Sequence, residues 1–253
     1  MRGLRPLVVK LGGTTIADES GILAEIAEQA RAGTPIVVVH GGGKRLTEEL
    51  RRLGIQTRFH EGKRMTDDAA MEVALRVLGE QINGEVADAL QALGCPAIAS
   101  PEAGYGVLVG ERDRSLGRVV TAPRLGRELM DARLRDGSVP IVPPIALDET
   151  GVPCNVNADD AAAAIATGLS AVLVLLTDTD GVRGEDGQRI PHMVIDAAER
   201  LIANGVIAAG MVPKVRAAAH AASAGSPSLI ADGHGLNALA HALEGRSGTR
   251  ILP

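Results

Sequence analysis

The chain has 253 residues, 45% of them hydrophobic, and a formal net charge of −5. That length and apolar content suffice for a large buried core, which excludes a disordered chain, and its lysines and arginines are scattered among acids, which argues against a nucleic-acid or anionic-membrane footprint. Phe59 and Tyr105 are the only aromatic residues, so single-stranded nucleic acid would find no stacking platform and a bound base would rest on apolar contacts and backbone.

The first ten residues lead directly into a short apolar strand with no cleavage-like site, and no stretch reaches the roughly 18 to 20 apolar residues of a membrane span; the expected location is the cytoplasm. Along the chain, β-branched runs alternate with Ala/Leu/Glu/Arg-rich segments: LVVKL, a helix over 21–32, PIVVVH, and a helix through 45–53. This βαβ rhythm predicts an α/β fold in three layers, with a largely parallel central sheet covered by helices on both faces. Residues 67–93 carry apolar side chains at helical spacing and predict one or two helices, followed by a short strand at 96–99. Cys95, in the intervening turn, and Cys154 lie far apart without CxxC spacing and read as small core residues, with no metal or disulfide role.

From 104 to 121 the pattern (VLVGERDR, GRVVTA) predicts a hairpin insert on the substrate side. The second half restarts with VPIVPPIAL and continues through a helix at 159–167, the strand AVLVLLTD, helices at 196–204 and 211–223, SLIADG, a helix at 236–244 and the strand-like GTRIL. A soft boundary at 150–175 divides one domain, 1–253, into an N-terminal lobe of about 1–165 and a C-terminal lobe of about 166–253. No Pro/Ser-rich linker intervenes, so the lobes should share one sheet.

Two glycine-rich turns follow the first two strands: LVVKLGGT, with Lys10, Gly12 and Gly13, and VVVHGGGK, with Gly41, Gly42 and Gly43 before Lys44. Glycines at a strand's C-terminal end let backbone N–H groups approach a phosphate, although tight βα turns use the same residues. Neither turn is a dinucleotide fingerprint, since GGGKRL lacks the third glycine of GxGxxG, and no GxxxxGK[ST] occurs, which disfavours a dehydrogenase or a P-loop ATPase. Further on, Asn155-Val156-Asn157-Ala158-Asp159-Asp160 and Gly210-Met211-Val212-Pro213-Lys214 each lead into a helix. Capping accounts for single residues of this kind, but a lysine in a first helical turn is electrostatically poor unless it serves an anion. Thr177-Asp178-Thr179-Asp180-Gly181-Val182 adds polar groups at a strand end, where open α/β sheets bind ligands. His40 adjoins the second glycine turn and reads as structural, and His60, His192, His220, His234 and His241 show no ligand spacing, so no protein-held metal is expected.

The set VVKLGG, VVVHGGGK, GKRMTD, CNVNADDAA, LLTDTDGV, GMVPKV and GTRIL, in this order, resembles the acetylglutamate kinase branch of the amino-acid kinase family essentially end to end. The resemblance implies a carbamate kinase-like fold and ATP-dependent phosphorylation of the γ-carboxylate of N-acetyl-L-glutamate, with Mg²⁺ carried on the ATP phosphates. It implies that Lys10 and Lys214 hold the transferring phosphoryl group, that Asp159 positions both, and that Gly12, Gly13, Gly42 and Gly43 supply N–H donors. Gly42, Gly43, Arg64 and Asn155 would hold the acceptor, Arg64 by its α-carboxylate and Asn155 by its acetylamino end. Thr177, Asp178, Gly181, Gly210 and Met211 would hold the nucleotide. Members inhibited by arginine carry an additional N-terminal helix, for which a first strand beginning at about Leu7 leaves no room, so an arginine-insensitive homodimer is expected.

Lys63 and Met65, on either side of Arg64, depart from the family pattern. An extra lysine there is compatible with the related branch whose acceptor rides on an acidic carrier protein, which stands as the alternative acceptor. A non-catalytic binding member would be expected to lack Lys10, Lys214 or Asp159; all three are present.

Overall fold

The computed structural model describes residues 4–12, 21–60, 62–99 and 105–253. Its main sheet has eight strands in the order β12 (His192–Val194), β14 (Thr249–Leu252), β13 (Ser228–Asp232), β11 (Val172–Thr177), β1 (Leu7–Leu11), β2 (Ile36–His40), β8 (Val139–Val142) and β5 (Ala97–Ala99). Every pairing from β13 to β5 is parallel; β14 runs antiparallel to β13, and β12 pairs parallel with β14. β1 lies between β2 and β11, so one sheet runs through both halves of the chain.

β1 and β2 are buried along their whole length, which is why they read as unbroken apolar runs: in a sheet covered on both faces each side chain meets a helix layer. The period of two sorts these side chains. Leu7, Val9 and Leu11 pack with the helices Ile22–Arg31, Gly43–Arg52 and Asn83–Ala92, whereas Val8 packs with Ala158–Leu169 and Met211–Ser223 on the opposite face. Cys95 belongs to the first cluster and Cys154 to the second. None of the helices among the described residues is long and apolar enough to cross a membrane.

The structure corrects the sequence reading in three places. VPIVPPIAL is two strands: β8 stays in the main sheet, Pro143-Pro144 breaks the run, and β9 (Ile145–Leu147) enters a second, four-stranded sheet in the order β10 (Pro153–Asn155), β9, β6 (Leu108–Val109) and β7 (Arg124–Leu125). The hairpin expected over 104–121 is wider: β6 pairs with β7, and only an isolated bridge joins Arg112 to Val120; Gly104 lies outside the described residues. Other elements were not anticipated: the edge strand β12, the strand β10, the helix Arg127–Arg135 and the hairpin of β3 (Arg58–His60) with β4 (Lys63–Met65). Residues 67–93 form one continuous run, Asp68–Ala74, a π-helical stretch Leu75–Ile82, and Asn83–Ala92, capped at Asp67, whose carboxylate accepts from Ala70 N at 2.8 Å.

Candidate active site

A cavity of about 490 Å³ opens where β1, β2, β8 and β11 end, lined among others by Lys10, Gly12, Gly42, Asp159, Thr177 and Lys214. This is the C-terminal edge of a parallel sheet, where chains leave in different directions and open a crevice.

Lys10 is the fourth residue of β1, so it shares the face of Val8 and points toward the alanine-rich layer. That layer consists of Ala158–Leu169 and Met211–Ser223, whose buried residues are mostly alanines, among them Ala161, Ala162, Ala166, Ala217, Ala218 and Ala221. Small side chains let these helices lie close, with both first turns at the cavity. Asn157 caps the first helix, its side-chain oxygen accepting from Asp159 N at 2.8 Å and Asp160 N at 3.3 Å, and in the second Pro213 stands in the first turn, where its missing N–H costs nothing. Asp159 and Lys214 are thereby brought together.

The result is a buried charge triad. Lys10 Nζ lies 2.8 Å from Asp159 Oδ1 as an ion pair, and Lys214 Nζ donates to Asp159 Oδ2 at 3.2 Å. Lys10 is 5% exposed and Asp159 4%. Burial pushes the Lys10 ammonium below its ordinary value against the attraction of Asp159, and Lys214 pushes the same way. Burial alone would raise the Asp159 carboxyl, but the two flanking ammoniums outweigh it and hold the group ionised, below the usual carboxylate range. One carboxylate facing two cations leaves positive charge available to a third, anionic partner.

The second glycine turn closes the same cavity. Gly42 sits at φ +137°, and a Cβ there would lie 2.5 Å from Ile82 Cδ1 and 2.7 Å from Leu78 Cδ2, so only glycine fits. Gly42→Ala is expected to cost about 1–3 kcal/mol of stability and to raise KM for the nucleotide; thermal denaturation and steady-state kinetics check this, and an unchanged melting temperature would contradict it. His40 is fully buried; Nδ1 lies 2.6 Å from Gly41 O and Nε2 3.1 Å from Asn83 Nδ2. Burial pushes its pKa down to about 4, so it is neutral at pH 7, with the N–H on Nδ1 donating to Gly41 O and Nε2 accepting from the Asn83 amide. It braces the turn, as the sequence reading expects.

Arg64 enters from β4. It is 8% exposed, and burial pulls its guanidinium down from its ordinary value, though an arginine remains cationic. Nη1 donates to Thr57 Oγ1 at 3.2 Å, and Nη2 donates to Gly43 O at 3.1 Å and Thr47 Oγ1 at 2.7 Å. Phe59, its cross-strand partner, places its ring 4.8 Å from Arg64 Cζ. Every one of these partners is neutral, so the guanidinium is held in place without its charge being spent. Thr66 Oγ1 donates to Arg64 O at 3.0 Å and accepts from Asn155 Nδ2 at 3.2 Å, tying the hairpin to β10.

Of the residues singled out from the sequence, Lys10, Gly12, Gly42, Gly43, Arg64, Asn155, Asp159, Thr177, Asp178 and Lys214 line this one cavity. Gly13 lies outside the described residues. Gly181 is buried against Thr249, while Gly210 and Met211 begin the Lys214 helix; these three do not line the cavity. Thr47, Phe59 and Lys63 line it as well. Thr47 had a readable signal, one helical turn after Gly43; Phe59 acquires its role only through the hairpin register.

Asp178, exposed at the end of β11, accepts from Thr177 Oγ1 at 3.1 Å; its own backbone N–H, then Thr177, then Lys214 and Lys44 hold its carboxyl below the usual range. This end of the cavity thus combines Lys10, Lys44 and Lys214 with one exposed carboxylate.

Known proteins are similar to this chain over nearly its whole length. An acetylglutamate kinase of Rubrobacter xylanophilus is 42% identical over 243 residues, 96% of this chain and 94% of that protein, and one from Dehalococcoides mccartyi is 32% identical over 97% of this chain and 93% of its own. A carbamate kinase from Giardia superposes with a TM-score of 0.71 at 17% identity, covering 100% of this chain and 99% of that one, which shows the shared fold. The amino acid kinase family profile matches residues 5–232, a span that holds the glycine turns, the hairpin and the whole charge triad, and the chain belongs to that family.

Proposed function

We propose that this chain transfers the γ-phosphoryl group of ATP to the γ-carboxylate of N-acetyl-L-glutamate, giving N-acetylglutamyl 5-phosphate and ADP, a step of arginine biosynthesis. The observation that carries the reading is the Lys10–Asp159–Lys214 triad sharing one cavity with a guanidinium that has no carboxylate partner among the described residues. The relatives named acetylglutamate kinase support the choice of acceptor.

The chemistry needs no proton transfer. A γ-carboxylate, with a pKa of about 4.3, is already ionised at neutral pH; its oxygen forms the new bond to phosphorus, the bond from phosphorus to the β–γ bridging oxygen breaks, and ADP leaves with the electron pair. What the protein must supply is charge on the oxygens where negative charge accumulates. Lys10 and Lys214, on opposite oxygens of Asp159, fill that role, and the Gly12, Gly42 and Gly43 turns add N–H donors. Arg64 grips the α-carboxylate with its planar fork, and Asn155 meets the acetylamino end. Thr177 and Asp178 lie on the nucleotide side. Oxygen donors at that edge suit Mg²⁺ carried on ATP, which would neutralise phosphate charge. The N-terminal part of the chain would therefore hold the acceptor and the C-terminal part the nucleotide.

ADP release with Mg-ATP tests the reading across N-acetylglutamate, glutamate and N-acetylaspartate. Robust turnover with N-acetylglutamate alone is expected. Inactivity on every free amino acid contradicts it and favours a carrier-bound acceptor or a binding protein. A homodimer in the cytoplasm belongs to the same proposal, and a monomer or hexamer mass by light scattering would overturn the dimer.

A further inference from the structure

Among the described residues the cavity is lined by five cations, Lys10, Lys44, Lys63, Arg64 and Lys214, against two carboxylates, Asp159 and Asp178. Asp159 answers Lys10 and Lys214. Lys44 acts on the nucleotide side, where it helps hold Asp178 ionised. Lys63 is at the other end. It begins β4, next to Arg64, and forms no ion pair among the described residues. Its charge reaches the helix turn behind the triad: burial lifts the Asp160 carboxyl to about 6, and Lys63 opposes that rise. Asp113 feels the same ammonium as a minor influence behind its own bonds to Ser115. At the acceptor end of the cavity neither Arg64 nor Lys63 has an ion-pair partner among the described residues, Lys63 influencing Asp160 and Asp113 without pairing with either, and one sign of charge in a walled crevice concentrates the field on the ligand.

We propose that Lys63 is a specificity-determining residue that makes the site select an acceptor bearing a second negative charge, the carboxylate that is not phosphorylated. The division of labour follows from the two side chains. Arg64 is fixed by Thr57, Gly43, Thr47 and Phe59 and supplies direction, whereas the lysine ammonium is a mobile point charge and supplies attraction. The inference rests on the acceptor chemistry proposed above, and its test separates the two.

The test compares the parent with Lys63→Met, which keeps length and removes charge, and Lys63→Arg, which restores charge. Each is assayed with N-acetylglutamate and with its α-carboxamide, which retains the γ-carboxylate and lacks the other charge; binding of both compounds is also followed by thermal shift, without turnover. Lys63→Met is expected to raise KM for N-acetylglutamate about tenfold, to leave KM for the α-carboxamide and for ATP unchanged, and to flatten the rise of KM with salt; Lys63→Arg should recover most of the loss. An unchanged KM in Lys63→Met, or an equal rise for both acceptors, overturns the inference while the kinase reading stands. Lys63-dependent binding of N-acetylglutamate in a protein that turns nothing over would uphold the inference and sink the kinase reading. No binding and no turnover would sink both.

Discussion

Asp159→Asn is expected to lower kcat about 10²- to 10³-fold with little change in either KM. Asparagine keeps the shape and leaves the Asn157 cap intact, so only the charge between Lys10 and Lys214 is lost. Without it the two ammoniums repel, one leaves its place or gives up its proton, and the oxygens of the transferring group lose a partner. The same change should destabilise the fold by about 3–5 kcal/mol, since a charge that is 5% exposed is left without its counter-ion. That deficit carries a pH signature. Lys10 already has a folded pKa below its unfolded one, and losing Asp159 lowers it further. Between that folded value and about 10.4 the unfolded chain binds more protons than the folded one, so stability rises with pH in this window. Thermal denaturation of parent and variant should therefore show a smaller gap at pH 9.5 than at pH 7. Equal gaps, or a kcat within a few-fold of the parent's, would mean that Asp159 does not organise the lysines.

Arg64→Lys is expected to raise KM for the acceptor by about 10- to 100-fold while kcat and the KM for ATP move little. A lysine retains the charge but not the fork, and it cannot satisfy Thr57, Thr47 and Gly43 O from one planar group. The lost interaction is made equally with bound acceptor and transition state, so it appears in KM. Steady-state kinetics with each substrate varied in turn decides the matter. A parallel rise in the KM for ATP would show that Arg64 acts through the Gly43 turn, and the assignment to the acceptor would fall.

What the sequence revealed and what it hid divides along physical lines. The central strands of the main sheet were readable because burial on both faces demands β-branched residues, and LVVKL and AVLVLLTD have no other use, whereas the edge strand β12, exposed at two of its three residues, was not. Lys10 was conspicuous for the opposite reason, as the one charge in such a run. Asn157, Asp159 and Lys214 showed themselves as polar groups at the starts of alanine-rich helices, but the pairing of Asp159 with both lysines depends on helix spacing that no local pattern states. The second sheet stayed hidden because its strands have two or three residues each and pair across long loops. The Arg127–Arg135 helix, with only Met130 buried, offered too narrow an apolar stripe to stand out. Lys63 was noticed by its neighbours in sequence, yet its place in the cavity follows from the Arg58–His60 and Lys63–Met65 hairpin, which the sequence pattern did not announce.

The most direct test of the central claim is to run the purified chain with Mg-ATP and N-acetylglutamate in the presence of hydroxylamine, which captures an acyl phosphate as a hydroxamate, beside a Lys214→Ala variant. The account predicts γ-hydroxamate in step with ADP from the parent and a loss of both in the variant. ADP without hydroxamate, hydroxamate at the α-carboxylate, or full activity in Lys214→Ala would contradict it.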